Sequence, residues 1–271
     1  MHVKRWLTAI VAIPILIYII GPGPRWLFYI LLFATSLIGQ MEFYGIAAPE
    51  LPIFVRWFSY FLLFLLFSVF YMGQVIFALV IIALWAFAPM VFFMLTHPSP
   101  SRQWTADISK VVLGPIYIGI PLAMLGTIDR LPNGNIWIFF LLAIIFANDT
   151  GAFYFGRFFG KHKLYEAVSP KKTWEGAVGG LLSSILAAIW FLALLHMIRI
   201  DIRIDINIII LTLALSVMGQ IGDLVESMLK RNHGVKDSGK ILPGHGGVLD
   251  RIDGLLFAIP ILFIFVNLSI W

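Results

Sequence analysis

Apolar runs of bilayer length follow one another along almost the whole chain, and no other feature limits the fold as tightly. A helix needs about 20 predominantly apolar residues to cross the hydrocarbon core. Nine stretches meet that description: 6–21, 26–46, 53–72, 74–95, 108–127, 135–156, 175–198, 206–226 and 253–271. In lipid every backbone polar group needs an internal partner, so only helices and closed barrels span. A barrel would show short alternating segments, whereas these runs are long and continuous. The expected fold is all-α, a polytopic membrane protein of about nine transmembrane helices. Composition agrees, with 61% hydrophobic and 12% charged residues against roughly half and a quarter in soluble domains. No cysteine is present among the 271 residues, which excludes disulfide and thiol chemistry.

The N-terminal run imitates a signal peptide but lacks a small-x-small cleavage site before Gly21-Pro22, and reads as a retained first helix. Gly73-Gln74 is the expected turn between the third and fourth spans. Pro14, Pro89, Pro121 and Pro260 lie inside spans and predict kinks, which neighbouring helices tolerate in lipid. Two regions are expected: N-terminal helices over 1–130, and 131–271 with the polar segments.

Lysine and arginine placement sets orientation. With the N-terminus cytoplasmic, 15 of the 19 basic residues fall on that side, and only Arg25, Arg130, Arg199 and Arg203 on the other. The polar segments 157–174 and 227–252 are then cytoplasmic. The net charge of +5 is read as loop asymmetry and contact with anionic lipid, not as nucleic-acid binding.

Charge beside a bilayer is costly and is seldom kept without a task. Asp223, Glu226, Ser227 and Lys230 are spaced to share one helical face. The face suits a cavity, or a helix end reaching water with Glu226 and Lys230 as an i,i+4 pair. Pro243-Gly244-His245-Gly246-Gly247 permits tight turns and close backbone approach to a ligand, and leads into Asp250-Arg251-Ile252-Asp253. Asp250 and Asp253 fit helix capping; Asp223 taken with Asp250 fits a hard cation such as magnesium, which takes oxygen ligands and shares them with substrate phosphates. Asp149, beside Asn148, lies within the sixth span, eight residues before Arg157. Ser169 then Pro170 reads as an N-cap and first-turn proline. Lys171 and Lys172 would then stand at a helix N-terminus, where a bound anion would suit them; the alternative is positive-inside anchoring at the membrane face. Glu42, near Gln40, fits either a cavity lining or a solvated helix end. His2, His97, His162 and His196 form no ligand spacing and are assigned to interfaces.

The 227–253 segment resembles the signature of phosphatidate cytidylyltransferases (CDP-diacylglycerol synthases). Ser227, Lys230, Arg231, Lys236, Asp237, Gly239, Pro243, His245, Gly246, Gly247, Asp250, Arg251 and Asp253 all fall in its register. Asn148-Asp149-Thr150-Gly151-Ala152 and Ser169-Pro170-Lys171-Lys172-Thr173-Trp174-Glu175-Gly176 resemble the family's second block. The first 140 residues match only as generic apolar helices.

The resemblance implies transfer of CMP from CTP to phosphatidate held in the leaflet, giving CDP-diacylglycerol and pyrophosphate for phospholipid biosynthesis. It implies magnesium, with a monovalent cation such as potassium as an additional candidate, and a homodimer. The role assignment that follows gives the metal to Asp223 and Asp250, with Asp253 and Asp149 as further ligands or supports. Lys230, Arg231, Lys236 and Arg251 take CTP phosphates or pyrophosphate, and Lys171 and Lys172 the lipid phosphate or the nucleotide. Ser227 and His245 supply hydrogen bonds. Asp237, Gly246 and Gly247 complete the nucleotide loop. The rivals are a CTP-dependent polyprenol or phytol kinase and a transporter of an anionic solute. A CDP-alcohol phosphotransferase would need an Asp-Gly-x2-Ala-Arg block, which the sequence lacks.

Overall fold

The computed structural model describes residues 13–96, 99, 102–200, 205–239, 241 and 246–268. Helix α1 covers 13–20. It is followed by α2 (Arg25–Ala47), α3 (Ile53–Tyr71), a 3-10 turn (Val75–Phe77), α4 (Ala78–Thr96), α5 (Arg102–Gly114), a π turn (Pro115–Gly119) and α6 (Ile120–Arg130). Then come α7 (Gly134–Phe159), strands β1 (Lys163–Tyr165) and β2 (Ser169–Thr173), α8 (Trp174–Met197), α9 (Ile206–Asn232) and α10 (Leu249–Leu268).

The protein is an all-α polytopic membrane protein with one small hairpin among its described residues. Seven described helices are long and apolar enough to cross a bilayer: Arg25–Ala47, Ile53–Tyr71, Val75–Thr96, Gln103–Arg130, Gly134–Phe159, Trp174–Met197 and Ile206–Asn232. The other two expected spans, 6–21 and 253–271, run beyond the described residues; within them 13–20 and 253–268 are helical. The turn at Gly73 forms as its sequence requires, with φ +74° and its N–H bonded to Phe70 O at 3.1 Å. Only glycine adopts that conformation without cost. The fifth span is longer than expected and contains the π turn that begins at Pro115, a residue without an N–H to continue the ladder.

The chain divides into two compact units. The first comprises the described residues up to Leu131 together with those of Asp237–Asp250; the second comprises Pro132–Lys236 and the chain from Arg251. In the first, a buried polar knot ties four helices. Gln40 Nε2 donates to Ser59 Oγ (2.8 Å) and Tyr44 OH (2.9 Å), Trp85 Nε1 donates to Ser59 Oγ (2.7 Å), and Tyr44 OH donates to Val111 O (2.9 Å). Helices α2, α3, α4 and α5 are thereby registered by hydrogen bonds, which lipid cannot replace.

The second unit is held by close approach of α7 and α8 through small residues. A Cβ at Gly176 would lie 2.8 Å from Ala152 O and 3.1 Å from Gly156 Cα. Gly180, four residues on, faces α7 as well: a Cβ there would lie 2.5 Å from Asn148 Oδ1. A polar ladder reinforces the packing: Ser184 Oγ donates to Ile144 O, and Ser216 Oγ and Gln220 Nε2 donate to Asn148 Oδ1 at 2.7 and 2.8 Å.

Candidate active site

In the second unit, α7, α9 and α10 each contribute a carboxylate to one cluster. Asp223 lies on α9, three and four residues before Glu226 and Ser227 on the same face. Ser227 Oγ donates to Asp223 Oδ1 at 3.4 Å, and Lys172 Nζ of β2 lies 2.6 Å from Asp223 Oδ2. The carboxylates of Asp149 and Asp253 both feel the negative charge of Asp223, and Asp253 also feels Asp149. Lys172 and Arg251 offset that charge at Asp149, and Lys230 does so at Asp253. Gly222 permits the approach of α10: a Cβ there would collide with the Asp253 carbonyl oxygen and sit 3.1 Å from its carbon.

Lys230 pairs with Glu226, and the pair is buried, with Glu226 at 0% and Lys230 at 11% side-chain exposure. The alternative of a solvated helix end therefore fails here. Removing one member of such a pair leaves an uncompensated charge, at a cost of about 3–5 kcal/mol. Arg231 is exposed and donates to Val235 O at 3.2 Å, across the end of α9, where Gly234 turns the chain with φ +68°. Lys171, Lys236, Asp237 and Arg251 are exposed.

The hairpin corrects one expectation. Ser169 and Pro170 do not open a helix. They lie on β2, which pairs antiparallel with β1, Lys163 opposite Thr173 and Tyr165 opposite Ser169. Both strands of a two-stranded sheet are edges, where proline is tolerated. The N-cap of α8 is Thr173, whose Oγ1 accepts from Gly176 N at 3.1 Å. Lys171 and Lys172 therefore project from a strand. His162, assigned to an interface, has Nδ1 2.6 Å from Glu175 Oε1; Glu175 also accepts from the Lys161 and His162 amides. Glu175 thus fastens the hairpin's entry to α8.

In the first unit, the signature loop closes on Asp250 and on a residue the sequence reading left unassigned. Asp250 Oδ2 accepts from Ser238 N (2.9 Å) and Gly247 N (2.8 Å). Glu42 of α2 accepts from Val248 N (3.0 Å), Leu249 N (2.8 Å) and Ser238 Oγ (3.1 Å). At 7% exposure Glu42 is no solvated helix end. The available signal was energetic: a carboxylate beside an apolar run costs heavily unless it is bonded. Gly246 has φ +80°. His245 lies outside the described residues.

The cluster presents carboxylate oxygens and ammonium groups, and the loop a carboxylate held by backbone N–H groups; each by itself is of the kind that phosphate and hard-cation chemistry uses. Among the described residues no three Asp, Glu, His or Cys side chains form a ready-made metal cage.

The model of the cytidylyltransferase family matches residues 3–269. Relatives named phosphatidate cytidylyltransferase include that of Staphylococcus saprophyticus, 43% identical over 176 residues, 64% of this chain and 65% of the relative. That of Staphylococcus epidermidis is 42% identical over the same proportions. That of Staphylococcus aureus is 40% identical over 185 residues, 67% of this chain and 68% of the relative. The chain thus spans 65% of the length of the first two relatives it matches.

Proposed function

The chain belongs to the cytidylyltransferase family, and from that premise we propose that it transfers CMP from CTP to phosphatidate, giving CDP-diacylglycerol and pyrophosphate. The observation that carries the reading is the family match over residues 3–269, together with the staphylococcal relatives' shared name.

A phosphate oxygen of phosphatidate bonds to the α-phosphorus of CTP. The bond from that phosphorus to the bridging oxygen breaks, and pyrophosphate leaves with the electron pair. The attacking phosphate has a second pKa of about 6, so at neutral pH it is already largely a dianion. A strong general base is not needed, and His245 is assigned a hydrogen bond instead. The reaction needs two anions held together in line and charge stabilised on the leaving group. Lys230, Arg231, Lys236 and Arg251 are proposed to hold the nucleotide phosphates, and Lys171 and Lys172 the lipid phosphate or the nucleotide. Fixed cations of this kind stabilise charge as it develops.

Asp149, Asp223 and Asp253, whose charges feel one another, are proposed to serve magnesium, which would need waters and substrate phosphate oxygens to complete its shell, since the described side chains alone form no metal cage. Asp250 is added on the strength of its place in the signature. When bound, the ion supplies charge neutralisation on phosphoryl oxygens. Lysine and arginine bias puts the chemistry on the cytoplasmic side, with phosphatidate entering sideways from the leaflet.

The test is pyrophosphate release by detergent-purified protein given CTP and phosphatidate, with and without magnesium. Release that requires all three, with a CDP-lipid product, is expected. Folded protein that releases none contradicts the proposal and points to another acceptor, polyprenols first.

A further inference from the structure

We infer that Glu42 is a positioning residue of the reaction: it folds the signature loop around its own carboxylate and so fixes the orientation of Asp250. Glu42 reaches the loop from 207 positions away, taking Val248 N and Leu249 N at the start of α10, where unpaired amides attract a negative charge. Ser238 carries the restraint onward. Its Oγ donates to Glu42 Oε2 at 3.1 Å and accepts from Asp250 N at 3.3 Å, while its own N–H donates to Asp250 Oδ2 at 2.9 Å.

Two signature glycines support the same conclusion. A Cβ at Gly247 would lie 2.5 and 2.6 Å from the two Glu42 carboxylate oxygens, and one at Gly239 would lie 2.8 Å from Glu42 Cδ. Glu42 occupies the space at both positions, joined at Gly247 by the Ser238 hydroxyl that it binds, so glycine fits where a side chain would collide. A segment that reads as a self-contained motif is therefore completed by a residue of the N-terminal half.

The inference rests on the proposed role of Asp250 as a metal ligand. The experiment compares wild type, Glu42→Gln, Glu42→Asp, Ser238→Ala and Asp250→Asn, each purified and checked for its unfolding midpoint. Turnover is followed against magnesium, and manganese binding is followed by electron paramagnetic resonance. Glutamine turns one acceptor into a donor facing a backbone N–H. Glu42→Gln is expected to raise the half-saturating magnesium concentration and weaken manganese binding by about tenfold or more, the usual effect of losing a group that orients a ligand. Glu42→Asp should recover part of the loss, and Ser238→Ala, the milder change, should shift both readouts in the same direction. Folded Glu42→Gln and Ser238→Ala proteins with wild-type metal dependence would overturn the inference, as would a lowered midpoint with unchanged metal dependence. An inert wild type, or an Asp250→Asn protein with unchanged metal dependence, would instead refute the functional reading beneath it.

Discussion

Gly222→Ala should separate activity from stability. The added methyl group meets backbone rather than a flexible side chain: the Asp253 carbonyl oxygen, its carbon at 3.1 Å and Gly254 Cα at 3.2 Å. Carbon pairs rest at about 3.5–4.0 Å, so α9 and α10 must part by about 0.5–1 Å. Overpacking of this kind costs about 1–3 kcal/mol. Alanine recovers about 1 kcal/mol through its better helix propensity. The net loss of stability is about 0–2 kcal/mol, and the unfolding midpoint moves by about 2–4 °C per kcal/mol. Asp223 and Asp253 ride on the two helices that separate. Misplacement by about 1 Å can cost roughly 100-fold in rate, so turnover at saturating CTP should fall about 10- to 100-fold. The assay is CDP-lipid formation in the detergent used for the melting curve. Gly45→Ala, also inside a helix, is the control, since a Cβ there meets nothing within 4 Å; it should leave the rate unchanged and raise the midpoint by about 2–4 °C through the same propensity gain. A normal rate in Gly222→Ala, or a loss matched by its unfolded fraction, would refute the reasoning.

Asp223→Ala should abolish turnover while the protein still inserts and folds; near-normal magnesium-dependent activity would remove Asp223 from the metal site. Thr173→Ala deletes the α8 N-cap and should cost about 1 kcal/mol of stability, read as a lowered midpoint; no shift would show that the cap bond contributes nothing. The Ile208 N–H beside Asp205 holds its carboxyl below the usual carboxylate range. That bond therefore contributes stability above the unfolded-state value of about 4, and the contribution is lost as pH falls through the lower folded-state value. Asp205→Asn should shrink the acid-side fall of the melting midpoint, and an unchanged acid limb would contradict this.

The membrane fold was legible because lipid leaves the chain so few choices: long apolar runs became helices, and Gly73 turned where a positive φ was needed. The cluster was partly legible, since helical spacing placed Asp223 and Ser227 on one face, and their bond forms. Ser169-Pro170 was misread because a serine before proline satisfies a helix start and a strand edge equally well. Only the pairing of Lys163 with Thr173 decides between them. Glu42 was invisible to motif reasoning because two of its partners are backbone amides more than 200 positions away, which leave no side-chain pattern, and the third is a lone serine 196 positions away. The Glu226–Lys230 spacing was plain, but its burial depends on packing that no local pattern encodes.

The central claim is transfer of CMP rather than of a terminal phosphate. CTP labelled at either the α- or the γ-phosphorus, supplied with phosphatidate and magnesium to the purified protein, tests it most directly. The account predicts α-label in the lipid product and γ-label in released pyrophosphate. Lipid carrying the γ-label, with the α-label left in CDP, would contradict it.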